Sequence, residues 1–252
     1  MSATRPFFIS QKEINLVDHM NEELIDDLHL FETYAARALL AGQSFSTMRA
    51  NLMRACSVID FDESDSIKEW VREETQPDER IRLVTEQSCE TGSGEPDPAL
   101  WPAAKDIAKR LTPAQLRGIF DGLHVLLEGN DAKKLVALPG GRVKAGSSIS
   151  IEHFYPQSGV LWSNDLADWG VDPELMVNRL HALGNISVLP IKVNTALSNK
   201  AFADKQKDLA SDGVESKKLN LPFFQAEKWT NEEIDERTKK LVKKSLELWK
   251  IP

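Results

Sequence analysis

Between residues 14 and 39 the apolar side chains fall at Leu16, Met20, Leu24, Leu28, Phe31, Ala35 and Leu39, steps of three and four that lay one stripe along a helical face. Residues 49–58 and 67–72 continue in the same style, so the front of the chain reads as packed helices. The periodicity stops at residues 89–98, where Gly, Ser, Glu, Asp and Pro crowd together and predict an exposed loop. Thr112 then offers an N-cap hydroxyl, Pro113 a first helical position and Gln115 an amide in the first turn, which predicts a helix to about residue 127.

The second half changes rhythm. Residues 135–138 form a short apolar run that enters a turn at Pro139-Gly140-Gly141, and residues 147–154 predict a further strand. Asp172-Pro173 should open a helix that runs to residue 183 and stops at Gly184. Residues 186–189 predict a strand, and Ser198 is placed to cap a helix through residue 210. Thr230 and Glu233 have the spacing of a capping box, with Ile234, Leu241 and Leu248 seven apart on the helix that follows. The expected fold class is therefore α+β, mainly α-helical, divided into an acidic helical region (1–130) and a mixed region with a C-terminal helix (131–252).

Composition narrows the choices. A chain of 252 residues with 41% hydrophobic residues can bury a real core. No run approaches the ~20 apolar residues of a membrane span, and no secretory signal opens the sequence, so a cytoplasmic chain is the default expectation. Cys56 and Cys89 form no Cys-x-x-Cys pair, which argues against a disulfide framework or a thiolate zinc site. The net charge of −8 is unfavourable for a nucleic-acid partner, but it is unevenly spread. Residues 1–132 hold 13 Lys and Arg against 24 Asp and Glu, net −11, whereas residues 133–252 hold 18 against 15, net +3. Charge permits a DNA partner for the second half and goes no further.

That half also carries the candidate chemistry. Glu152-His153-Phe-Tyr-Pro156-Gln157 lies at the end of a predicted strand, Gly184-Asn185-Ile-Ser-Val-Leu189 opens the next, and Asn194 follows nine residues after Asn185. A carboxylate, an imidazole and two amides supply a base, a group to orient it and hard oxygen ligands, the parts that phosphodiester hydrolysis requires. Adjacent residues of a regular strand point to opposite faces, so Glu152 and His153 can address one phosphate only if the strand ends or twists there; Pro156 agrees with an early stop.

These residues, with Ser198-Asn199-Lys200-Ala-Phe202-Ala-Asp-Lys205, resemble the HNH or His-Me finger (ββα-metal) endonucleases, and within them the C-terminal nuclease domain of GmrSD-type modification-dependent restriction enzymes. A weaker likeness to the same family lies upstream, from Phe31 to Gly42. The resemblance implies a ββα-metal core embedded in helices and a metal-dependent DNA endonuclease serving defence against phage. His153 would be the general base, Asn185 its orienter through the His153 backbone or ring, and Glu152 and Asn194 the ligands of one Mg²⁺ or Mn²⁺ ion. The family more often has aspartate at the place of Glu152.

Asn199, Lys200 and Lys205, with Lys192 and Arg179 nearby, would meet the DNA backbone. Taken singly, each has an ordinary alternative: a satisfied strand histidine, a solvated carboxylate, a turn-forming asparagine, solvated helix charges. His19, His29, His124 and His181 lack comparable neighbours, and His181 would at most support the site. The nucleotide-hydrolysing domain of fused relatives, with its Asp-Gly-Gln-Gln-Arg string, has no counterpart here, so the resemblance implies a specificity domain, separate or fused, as a partner. A single site makes one nick, which points to a homodimer for double-strand cleavage. The competing reading is a non-catalytic module of the same fold that binds DNA or protein; an RNA nuclease is weaker, resting on Trp162 and Trp169 as stacking surfaces.

Overall fold

The computed structural model describes residues 22–60, 63, 65–86, 116, 119, 120, 123, 149–211 and 218–252. Four helices occupy the front of the chain: α1 Glu22–Leu40, α2 Phe45–Val58, α3 Ser66–Glu74 and α4 Asp78–Glu86. Of the stripe on α1, Leu28 and Phe31 are half-buried and Ala35 and Leu39 buried, and from Thr33 to Leu40 every residue is buried, so this end of the helix is enclosed on all sides. The hydroxyl of Ser44 caps α2 by accepting from Thr47 N at 3.1 Å. Sequence periodicity does not announce α4, because charged residues dominate its nine positions; Asp78 and Glu79 suit its first turn, and Ile81 and Val84 bury one side. Of the helix expected over residues 112–127, positions 116, 119, 120 and 123 are helical, and Leu116, Ile119, Phe120 and Leu123 are buried at the spacing of one helical face. The 89–98 loop, the 135–138 strand, Leu16, Met20 and the boundary expected near residue 130 lie outside the described residues.

The second half is built on two antiparallel strands, β1 Ile149–His153 and β2 Ile186–Pro190, with Glu152 opposite Ser187 and His153 opposite Ile186. Between them run a 3₁₀ turn, Gly159–Trp162, and the short helices α5 Ser163–Asp168 and α6 Pro173–Arg179. Asp172 caps α6, its Oδ1 accepting from Glu174 N at 2.9 Å, with Pro173 at the first helical position. After β2 come α7 Ile191–Leu197, α8 Phe202–Ser211, the single turn α9 Leu221–Phe224 and the long α10 Asn231–Leu248. The capping box of α10 forms as its sequence predicts: Thr230 Oγ1 accepts from Glu232 N and Glu233 Oε2 from Thr230 N. The protein is thus mainly helical α+β, as expected.

Three local expectations are corrected. Helix α6 ends at Arg179, not near 183, because residues 180–185 turn over into a second 3₁₀ segment, Leu183–Asn185. Gly184 therefore does not terminate a helix. It permits contact with α10: a Cβ there would lie 2.0 Å from Ile234 O and 2.4 Å from Thr238 Oγ1, and Gly184 N donates to that hydroxyl at 2.9 Å. Ser198 does not cap α8, which starts four residues later. It closes α7 in the left-handed region at φ 47°, its N–H donating to Asn194 O.

Two clusters of buried side chains flank the sheet. One joins front-half residues such as Tyr34, Trp70 and Ile81 to Ile186, Leu241, Val242 and Trp249; the other gathers Phe154, Trp162, Leu189, Phe202, Phe223 and Trp229. In the second, Phe154 stacks on Phe223 with ring centroids 4.3 Å apart and meets Trp229 edge-on. Buried Arg37 ties α1 to the end of α10 by donating to Trp249 O at 2.9 Å while it grips Gln76 O and Asp78. No described helix is long and apolar enough to cross a membrane.

Candidate active site

Strand β1 stops at His153, and Glu152 and His153 lie at the rim of a single cleft of about 210 Å³. Ile151, Pro156, Gln157, Asn194, Ser198, Asn199 and Lys205 complete the lining. Both residues are still paired in the ladder, Glu152 opposite Ser187 and His153 opposite Ile186, and both nevertheless line the cleft. Past the strand end the backbone is held by Asn185, whose main-chain O accepts from Phe154 N at 2.9 Å. The Asn185 side chain is wholly buried: Oδ1 accepts from Tyr155 N (2.8 Å) and Trp229 Nε1 (3.2 Å), and Nδ2 donates to Tyr155 O (3.1 Å) and Leu180 O (2.8 Å). Its orienting contacts thus fall on the backbone two residues beyond His153. The imidazole has a different partner, His181, whose Nδ1 lies 3.0 Å from His153 Nε2.

Glu152 and Lys205 meet inside. Their side chains are 3% and 1% exposed, and Nζ sits 2.6 Å from Oε1 as an ion pair outside aligned hydrogen-bond geometry. The same ammonium donates to His153 O at 2.6 Å and Phe154 O at 3.2 Å. Burial raises the carboxyl's pKa and lowers that of the ammonium, each only partly offset by the other. Burial, with the nearby His181 and Lys205, pushes the His153 pKa down to about 3, so its ring is neutral at physiological pH.

Asn194 lies on α7, so the ordinary alternative of a turn-forming asparagine does not apply. Its Nδ2 donates to Ser150 Oγ (2.8 Å) and Ile151 O (2.9 Å), which fastens α7 to β1. Asn199 lines the cleft. Lys200 pairs with Asp208 and remains partly exposed, and Lys192 is exposed on the first turn of α7. Two residues expected at the DNA backbone are interior: Lys205, as described, and Arg179, which is 1% exposed and donates through Nε (3.1 Å) and Nη2 (2.9 Å) to the two oxygens of Asp235.

Two supports of the site are faint in the sequence. His181, expected at most to support the site, carries no signal beyond standing four residues before Asn185. Arg237 does carry one, since it falls on the same face of α10 as Ile234 and Leu241. Fully buried, it donates through Nη1 to Gly184 O (2.6 Å) and Ile186 O (2.9 Å) and through Nε to Leu219 O (3.1 Å), and its guanidinium lies 5.1 Å from the centre of the Phe154 ring. Burial pushes its pKa down to about 9. Arg237 thus braces both sides of Asn185 and the residue after His153.

The donors in the cleft suit a hard cation in kind. One carboxylate and one amide oxygen are oxygen ligands of the type Mg²⁺ accepts while it keeps several waters. The Glu152 oxygen facing Lys205 has no aligned hydrogen bond, and among the described residues no hydrogen bond engages Asn194 Oδ1. Lys205 competes for the same carboxylate. No group of three His, Cys, Asp or Glu side chains gathers as a metal centre among the described residues, so a cation here would rely on few protein ligands.

Fold and site together define a mainly helical α+β protein that presents a buried carboxylate and a neutral imidazole at the end of a two-stranded antiparallel sheet. The chain belongs to the family of GmrSD restriction endonuclease C-terminal domains, whose sequence model matches residues 104–244. Every residue of the cleft lies in that span, and membership implies a restriction-endonuclease role. No curated protein and no solved structure matches the chain.

Proposed function

We propose that the chain is a metal-dependent DNA endonuclease of the HNH, His-Me finger type, the nuclease part of a modification-dependent system for defence against phage. The observation that carries this reading is the convergence of Glu152, His153, Asn194 and Asn199 on one cleft in a member of a restriction-endonuclease family. Strands β1 and β2 with the helices that follow would form the ββα core.

A neutral His153 ring offers a nitrogen to the proton of the attacking water, although a pKa pushed down to about 3 makes that nitrogen a weak base. Asn185 keeps the backbone beyond His153 from drifting, and Arg237 keeps Asn185 in place. Glu152 and Asn194 would hold Mg²⁺ or Mn²⁺, which supplies stabilisation of the charge that develops on the phosphate and the departing oxygen. Lys192, Asn199 and Lys200 would contact the DNA backbone around the cleft. Lys205 acts from within, as a counter-charge to Glu152 and a tie to the end of β1. Selection of modified DNA would come from a nucleotide-hydrolysing partner domain, separate or fused, and double-strand cleavage from a homodimer.

A non-catalytic binding module is the alternative, favoured by the ammonium already seated against Glu152. Relaxation of supercoiled plasmid in Mg²⁺, Mn²⁺ or EDTA, with wild type beside His153→Ala, separates the two. Metal-dependent cleavage that disappears in a folded variant is the expected result. A wild type that leaves modified and unmodified plasmid intact would favour the binding module, and cleavage that survives His153→Ala would move the site elsewhere.

A further inference from the structure

We infer that His181 is a positioning residue for His153: it accepts the proton of His153 Nε2 and so assigns the Nδ1 lone pair of that ring to the cleft. The inference rests on His153 being the base. His153 Nε2 and His181 Nδ1 are 3.0 Å apart, and the two rings meet nearly edge-on, at 80° with centroids 5.0 Å apart. When both rings are uncharged such a contact holds one proton, so one ring donates and the other accepts.

The two assignments have opposite consequences. If His181 donated, His153 Nε2 would be the acceptor and the ring's proton would sit on Nδ1, leaving no lone pair for a water in the cleft. If His153 donates through Nε2, its Nδ1 is unprotonated and can act as a base, and His181 carries its own proton on Nε2. Only the second arrangement is productive.

The segment around His181 is built for this task. Residues 180–185 connect α6 to β2, closed by Ala182 N donating to Arg179 O at 3.0 Å and Asn185 N to Ala182 O at 2.9 Å. One end of this short segment grips the His153 ring through His181, and the other grips the backbone of Tyr155 through Asn185. Asn185 cannot also serve the ring, because its amide already makes four hydrogen bonds. The ring contact expected of an asparagine has passed to a histidine in the same segment. Such outer contacts hold ring orientation and tautomer, and losing one typically costs about 10–100-fold in activity.

The test combines ¹⁵N NMR of the histidine rings in the full chain with single-turnover cleavage of plasmid DNA in Mg²⁺. His181→Leu removes the acceptor; His181→Asn keeps an oxygen close to the place of Nδ1. The expected result is a wild-type His153 protonated on Nε2, a mixed tautomer in His181→Leu with the cleavage rate down about 10–100-fold at unchanged DNA affinity, and recovery of most of both in His181→Asn. A His153 proton on Nδ1 in the wild type, or His181→Leu cleaving at the wild-type rate, would overturn the inference. The tautomer is read without turnover, so this failure is distinct from that of the base assignment, which His153→Ala tests.

Discussion

Lys205 Nζ lies 2.6 Å from Glu152 Oε1 with both side chains shut away from solvent, and it also donates to the carbonyl oxygens of His153 and Phe154. One ammonium on α8 therefore neutralises the carboxylate at the end of β1 and ties down the residues that follow it. Burial has made both charges costly, as the opposed pKa shifts record, so each depends on the other. Lys205→Met should leave Glu152 buried without its counter-charge and lower stability by about 3–5 kcal/mol. Adding Glu152→Gln to that variant should restore much of the loss. Urea denaturation of the two single variants and the double variant checks this; strictly additive losses would mean that the pair is not coupled.

Gly184 predicts a second large effect. A methyl group at this position would meet Ile234 O at 2.0 Å and Thr238 N at 2.9 Å, atoms of the α10 backbone that no rotamer change can move away. Gly184→Ala should therefore push the 3₁₀ turn off α10 and strain the contacts of Arg237 with Gly184 and Ile186. We expect a loss of about 2 kcal/mol or more, seen as a lower melting temperature in calorimetry. A variant as stable as wild type would show that the turn and the helix can separate freely.

Sequence made a good part of this legible, and where it failed the reason is tertiary. The caps at Asp172 and Thr230, the two strands and the strand end near Pro156 follow from local chemistry, and the structure shows them within a residue or two. Helix α7 has no clear sequence signal, because the β-branched Ile191, Val193 and Thr195 suit a strand as well; Asn194, bonded to Ser150 and Ile151, fastens it to β1. The burial of Arg179 was equally hidden, since its partner Asp235 is 56 residues away. A lysine or arginine near a motif reads as a phosphate contact until the fold shows which carboxylate has claimed it. Glu152 and His153 were recognisable as neighbours of a proline at a strand end, whereas the contact of His153 with His181 depends on how residues 180–185 turn back, which no local pattern encodes.

The basic residues that remain outside give a prediction for DNA binding under the proposed function. Lys192 is exposed on α7, the helix that also carries Asn194 to the cleft. If it meets one phosphate, Lys192→Ala should weaken binding to any DNA sequence alike and make the slope of log affinity against log salt shallower by about 1. Arg179→Lys, by contrast, should act on stability through Asp235 and leave the salt slope unchanged. Fluorescence anisotropy titrations over a series of salt concentrations measure both; an unchanged slope in Lys192→Ala would remove that residue from the interface.

His153 supplies a prediction in pH. Its pKa is pushed from 6.5 down to about 3 by burial, His181 and Lys205, whereas in the unfolded chain it returns to about 6.5. Between these values the unfolded chain binds a proton at this ring and the folded chain does not, so lowering the pH favours unfolding. The contribution of His153 is full above pH 6.5 and declines through the window down to about 3, by at most about 1.4 kcal/mol per pH unit. Carboxylates that titrate in the same window are shared by wild type and variant, which makes the difference between the two the quantity to read. His153→Gln should therefore lose less stability than wild type between pH 7 and pH 5, measured by urea denaturation at each pH. Parallel loss in the two proteins would mean that His153 is protonated in the folded state at mild acidity, and its neutral ring, on which its role as a base depends, would have to be abandoned.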